Sequence, residues 1–149
     1  MILADHGCGA AMIDLGGDIA LGDPPPDREG WRIQLPAEPP TGELSSQNAA
    51  STPEIRTLHH CGVATSGDAF QHLEIDGHRF SHIVDPRTGQ ATTHSLTVTV
   101  IAKNAMIADG LASAVSVLGV EAGQAHIDKT PDSQAIILQK PANPPNAPE

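Results

Sequence analysis

Along most of this chain, apolar and polar positions alternate in short runs; near the end they settle into one long helical period. Ala10-Ala11-Met12-Ile13-Asp14-Leu15 reads as a short apolar strand, and Ile19-Ala20-Leu21-Gly22 resumes extended form after Gly16-Gly17-Asp18. A Gly-Gly step inside such a pattern predicts a bulge, or a point where something approaches the backbone closely. Pro24-Pro25-Pro26-Asp27 predicts a turn before residues 31–35, which alternate like a half-buried strand. Residues 36–60 shift to Pro, Ser, Thr, Glu and Gln and predict a long polar loop rather than a domain boundary. Extended runs follow at 62–68, 69–75 and 79–84, the last two joined by Asp76-Gly77-His78, a strong hairpin signal.

Residues 95–102, Ser-Leu-Thr-Val-Thr-Val-Ile-Ala, form the clearest strand, and Ala105 to Leu118 the clearest helix, with Asn104 placed to cap it and Gly119 to end it. A shorter helix from Glu121 to Asp128 leads to a last strand, Gln134–Gln139. The expected class is α+β: a mainly antiparallel sheet with a late helical layer. Residues 1–140 form one expected domain and 141–149 a Pro-rich tail.

In the long helix, Met106, Leu111, Val115 and Leu118 predict the apolar stripe. Asp109 and Ser113 are four apart, so their side chains are neighbours on one face. A carboxylate and a hydroxyl so placed can both reach a hard cation such as Mg²⁺, which takes oxygen ligands. An exposed aspartate bonded to a nearby serine gives the same pattern, so the pair alone decides nothing.

Composition narrows the field. With two Phe, one Trp and no Tyr, the core must be built from small aliphatic side chains. Eight Lys and Arg stand against 18 Asp and Glu, a formal net charge of −10. That disfavours a nucleic-acid partner, which needs a basic face, and fits a protein that handles a cation. Cys8 and Cys61 form no Cys-x-x-Cys pair and read as two thiols. His59, His60, His72 and His78 lack the spacing of a zinc site and read as surface or loop residues. No segment reads as a signal peptide or as an apolar membrane span.

Ser81-His82-Ile83-Val84-Asp85-Pro86-Arg87-Thr88-Gly89 carries more polar groups than a simple chain reversal needs. Proline fixes φ and glycine is free to take φ > 0, so the turn can hold His82 rigidly. Arg87 could grip a phosphate bidentately or pair with Asp85.

Five segments occur in a telling order: Leu15-Gly16-Gly17-Asp18-Ile19, Trp31-Arg32-Ile33, Ala64-Thr65-Ser66-Gly67-Asp68, His82 to Gly89, and Ala105 to Ser113. Together they resemble the C-terminal half of the FAD:protein FMN transferases, the ApbE-like flavin transferases, over residues 1 to 140. The resemblance implies an incomplete version of that fold. It also implies Mg²⁺-dependent transfer of FMN from FAD to a Thr or Ser hydroxyl of an acceptor protein. Carried over, Asp109 and Ser113 would be metal ligands, Ser113 standing where the family has threonine. His82 would be the base that deprotonates the attacking hydroxyl, Ile83 a backbone contact to the flavin, and Gly17, Asp18 and Arg87 contacts to the cofactor. Ser66 and Gly67 fit a pocket wall or a turn equally well.

The sequence also departs from that pattern. Family members are longer and carry a Lys-Gly-Tyr helix motif ahead of the Gly-Gly-Asp strand, which nothing here matches; Met1 to Gly9 reads as the last turns of a helix. Ala69 replaces the usual aromatic after Ser66-Gly67-Asp68. A subunit needing a separate N-terminal partner, a truncated product, a non-catalytic remnant or binding module, and an FAD pyrophosphatase giving FMN and AMP all stay open. Family members are often exported or membrane-anchored, and no segment here fixes the compartment.

Overall fold

The computed structural model describes residues 2–36, 53–67, 72–75, 78–93 and 95–139. Its first elements are a short helix α1 (Ile2–Asp5) and the strands β1 (Met12–Leu15), β2 (Asp18–Leu21), β3 (Trp31–Leu35), β4 (Glu54–Leu58) and β5 (Gly62–Gly67). Two strand pairs follow, β6 (His72–Ile75) with β7 (His78–Ser81) and β8 (Val84–Asp85) with β9 (Gln90–Ala91). The chain then runs through β10 (Leu96–Ala102), α2 (Ala105–Leu118), α3 (Val120–Ile127) and β11 (Gln134–Gln139). The five-stranded sheet has the order β1-β2-β5-β10-β11, antiparallel at every pairing. This is the α+β arrangement that the alternation pattern predicts.

Each face of the sheet has its own core. On one, Ala64 of β5 and Val98 and Val100 of β10 pack with Ala108, Leu111, Ala112 and Val115 of α2 and Ile127 of α3. On the other, Leu21, Val63 and Ile136 meet Ile33 and Leu35 from the β3–β4 hairpin. Small aliphatic residues suffice because both faces are covered over the central strands. Arg56 of β4 also reaches Gln134 Oε1 of β11 at 3.1 Å, tying that hairpin to the sheet.

Several sequence expectations are revised. Gly16 and Gly17 are not a bulge: Leu15 pairs with Asp18, so the two glycines form a two-residue hairpin loop. Both have positive φ (68° and 104°), which the tight loop demands and glycine supplies freely. The polar stretch 36–60 contains a strand at its end, since β4 pairs along its whole length with β3. The run 79–84 breaks at His82 and Ile83, between β7 and β8. On α2 the buried face is Ala108, Leu111, Ala112, Val115 and Ser116, whereas Met106 is 80% exposed and Leu118 lies at the margin. At 3.6 residues per turn Met106 lies opposite Val115, so a sheet that buries Val115 leaves Met106 in solvent.

The caps agree with expectation: Asn104 Oδ1 accepts from Ile107 N–H at 2.9 Å, and Gly119 N–H donates to Val115 O at 3.0 Å. The Asp76-Gly77 step, Asp68-Ala69 and residues 141–149 lie outside the described residues. Strands β6 and β7 pair on either side of Asp76-Gly77, with Ile75 opposite His78.

Candidate functional site

Helix α2 lies alongside β5. At one end a Cβ on Gly62 would collide with the backbone of Asn104 and Ala105, so only glycine lets the helix start this close to the sheet. At the other end Ser66 Oγ meets Ser113 Oγ at 3.2 Å. Four strand residues and eight helical residues each span about 12–13 Å, so the two contacts describe one continuous seam.

Register brings a third element to the middle of that seam. Ile19 and Ala20 of β2 pair with Val63 and Gly62, which carries Asp18 toward Ala64 on the helical side of the sheet. Asp109 lies halfway between Ala105 and Ser113 on the same flank of α2. The two carboxylates therefore face each other across the seam. The Asp18 carboxyl titrates above its ordinary 3.8, first because it is partly buried, then because Asp109 and Asp14 lie near.

The result is an oxygen-only donor set: Asp18 and Asp109 carboxylates beside Ser66 and Ser113 hydroxyls. Among the described residues no three His, Cys, Asp or Glu side chains converge to cage a metal ion. A cation held here would complete its shell with hydroxyls, waters or phosphate oxygens, as Mg²⁺ commonly does. Crowded carboxylates and hard donors fit that ion and do not fit a soft metal.

The corner at 84–91 is a hairpin in which β8 pairs with β9 and Pro86–Gly89 form the loop. Gly89 takes φ 71°, and its N–H donates to Asp85 O at 2.8 Å. The Arg87 guanidinium is held bidentately by Asp85, with Nε to Oδ1 at 2.9 Å and Nη2 to Oδ2 at 2.7 Å. Asp85 raises the Arg87 pKa by this hydrogen bonding. The pairing with Asp85 that the sequence allows is formed. His82 sits at the base of the hairpin with its side chain exposed. Beside it, Ile83 N–H donates to Ser81 Oγ (3.1 Å) and Ile83 O accepts from Thr92 N–H (2.9 Å). Gly17 N–H donates to Asp14 Oδ1 at 2.9 Å.

Of the residues singled out from sequence, Asp18, Asp109 and Ser113 come together; His82, Ile83 and Arg87 share a second element. Ser66 gains a definite place, as the partner of Ser113. Only the packing of α2 on β5 could reveal it. Elsewhere, His60 Nε2 pairs with Asp23 Oδ1 at 3.3 Å, and Cys61, whose thiol is pushed up by burial, lines a cavity of about 340 Å³ at the start of α2.

With this geometry in place, comparison with known proteins is informative: the model for the ApbE family matches residues 1–137. The chain belongs to the ApbE family. It is 38% identical over 124 residues to an FAD:protein FMN transferase of Vibrio cholerae, covering 83% of this chain and 35% of that protein. A Treponema pallidum protein of the same name is 34% identical over 146 residues, 92% of this chain and 38% of the relative. Among solved structures, the flavin transferase ApbE from Vibrio cholerae superposes with a TM-score of 0.66 at 33% identity, covering 93% of this chain and 45% of that one. The apo flavinyl transferase ApbE of Pseudomonas stutzeri gives 0.62 at 31% identity, over 87% and 40%. This ApbE-family chain thus spans about a third of the length of the curated relatives it matches.

Proposed function

We propose that this chain carries the phosphate-handling part of a flavin transferase, which moves FMN from FAD to a Thr or Ser hydroxyl of an acceptor protein. The observation that carries this reading is the oxygen cluster of Asp18, Asp109, Ser66 and Ser113, found in a chain whose relatives are named FAD:protein FMN transferase. Asp109 and Ser113 would hold Mg²⁺, with Asp18 adding negative charge. The chemistry a bound Mg²⁺ supplies is neutralisation of charge on the pyrophosphate oxygens.

The acceptor oxygen bonds to the FMN phosphorus, the bond from that phosphorus to the bridging oxygen breaks, and AMP departs with that oxygen. His82 takes the hydroxyl proton as a positioned general base. Ile83 and Gly17 would offer backbone to the flavin, its carbonyl having a second lone pair in the case of Ile83. Arg87, held by Asp85 through Nε and Nη2, would shape the corner that carries His82 and keep Nη1 for a phosphate contact.

The test is to incubate the protein with FAD, MgCl₂ and a peptide bearing an acceptor threonine, then to look for covalently fluorescent peptide. The expected product disappears in Asp109→Ala and His82→Ala. FMN and AMP without labelled peptide would replace transfer by hydrolysis, and no turnover in a folded chain would make this a non-catalytic member.

A further inference from the structure

The β3–β4 hairpin has a concave surface on its side away from the sheet. Strand β3 alternates there: Ile33 and Leu35 are buried against the sheet, and Arg32 is exposed. Its cross-strand partner on β4 is Thr57, also exposed. Arg28 and Glu29 from the preceding loop join Arg32 and Thr57 around an open cavity of about 230 Å³, with Gly30 buried in its wall. The hairpin packs on the face of the sheet opposite α2, so the sheet separates this cavity from the Asp18–Asp109 seam.

The loop that delivers Arg28 is pinned along its length. Across its base Trp31 Nε1 donates to Asp23 O at 3.0 Å. In its middle Arg28 N–H donates to Pro25 O at 3.1 Å across Pro26 and Asp27, and Asp27 takes φ 60°. Proline followed by a residue with positive φ is the pattern of a type II turn, in which glycine usually fills the place of Asp27. At its end a Cβ on Gly30 would lie 2.8 Å from Leu58 O and 2.9 Å from Thr57 Cγ2, so only glycine lets the loop lie this close against β4.

The chain has 18 Asp and Glu against eight Lys and Arg. Arg56 and Arg87 each hold a carboxylate, Glu54 and Asp85 respectively. Among the described residues Arg28 and Arg32 have no ion pair, not even with Glu29 beside them. Two guanidinium groups at one cavity repel each other, and an anion between them removes that repulsion. One carboxylate is satisfied by one guanidinium fork. Two forks and a hydroxyl match a group with more acceptor oxygens. A phosphomonoester supplies these, with three strong acceptor oxygens and a charge of about −2 at neutral pH.

We propose that Arg28, Arg32 and Thr57 form a binding site for the phosphate of a phosphomonoester. The guanidinium groups grip its oxygens from two sides, the Thr57 hydroxyl donates a further hydrogen bond, and Glu29 limits affinity by its charge. The inference rests on this surface alone; Mg²⁺ and flavin chemistry are no part of it.

The test is a titration of the full chain with inorganic phosphate and with glycerol phosphate, followed by heteronuclear NMR with EDTA present and no FAD. Both ligands are expected to shift the Arg28 and Arg32 side-chain Nε–H resonances, and NaCl at equal ionic strength is not. Affinity should fall about tenfold or more in Arg28→Ala and in Arg32→Ala, the usual weight of a hydrogen bond to a charged group. Arg32→Lys should stay weak because an ammonium has no fork, and Glu29→Gln should bind more tightly. Lys129→Ala, which removes an exposed cation elsewhere, should bind normally. A phosphoserine peptide in a parallel titration distinguishes the source: tighter binding than glycerol phosphate assigns a phosphorylated side chain, weaker binding a free small molecule. Three results would each overturn the proposal: no shift in the folded chain, shifts reproduced by NaCl, or affinity unchanged in both arginine-to-alanine variants. Loss of flavin transfer with phosphate binding intact would fault the proposed function alone.

Discussion

Asp18 on β2 and Asp109 on α2 oppose each other across the seam between helix and sheet, two like charges brought together by strand register. Such a pairing costs stability in the absence of a counter-ion, and the cost has consequences that can be measured.

The Asp18 pKa is raised in the folded chain, so the folded state binds that proton more tightly than the unfolded state does. Its ionisation therefore removes stability as pH rises from 3.8 through the folded value, and protonation restores it as pH falls. Asp18→Asn should stabilise the fold near neutral pH by less than about 1 kcal/mol, since the carboxylates keep solvent contact. The gain should vanish below the ordinary carboxylate range; thermal melts across a pH series read this directly.

Added MgCl₂ should relieve the same repulsion. The melting temperature is expected to rise with the logarithm of the MgCl₂ concentration above Kd, the added stability being about 2.7 kcal/mol at a hundredfold excess. NaCl at equal ionic strength should not reproduce it. Asp109→Ala should abolish the shift, Ser113→Ala should weaken it, and Ser113→Thr should preserve it, as followed by scanning calorimetry.

Gly62→Ala should cost about 1–3 kcal/mol, the usual range for overpacking, because the obstacle is the backbone at Asn104 and Ala105 rather than a side chain that can swing away. Urea unfolding would show it as a lower midpoint at unchanged slope. The variant should also displace α2 along the seam and loosen the Ser66–Ser113 contact.

Asn104→Ala removes the acceptor for Ile107 N–H at the start of α2. Loss of about 1 kcal/mol is expected, while Asn104→Asp or Asn104→Ser should stay near the parent. Helical circular dichroism during denaturant titration distinguishes these outcomes.

Local chemistry was readable in advance. Asn104 and Gly119 bracket α2 because capping depends on a few consecutive residues. The alternation in residues 95–102 gave β10, and the i, i+4 spacing put Asp109 and Ser113 together. The Gly-Gly step was misplaced because a bulge and a hairpin loop make the same local demand for positive φ. The strand at Glu54–Leu58 was hidden in polar surroundings: most of its residues are exposed and its partner is β3, distant in sequence. Met106 was grouped with the core for its apolar side chain, yet at 3.6 residues per turn it lies on the opposite side of α2 from the buried Val115 and faces away from the sheet.

By itself the sequence determined most of the elements, the caps of α2, the acidic balance and the order of motifs that marks the ApbE family. The folded chain alone decided that Asp18 would face Asp109, that Ser66 would pair with Ser113, and that β1 would be exposed at the sheet edge. The division follows from range: propensity and capping act over a few residues, whereas register and layer coverage depend on segments far apart in the chain.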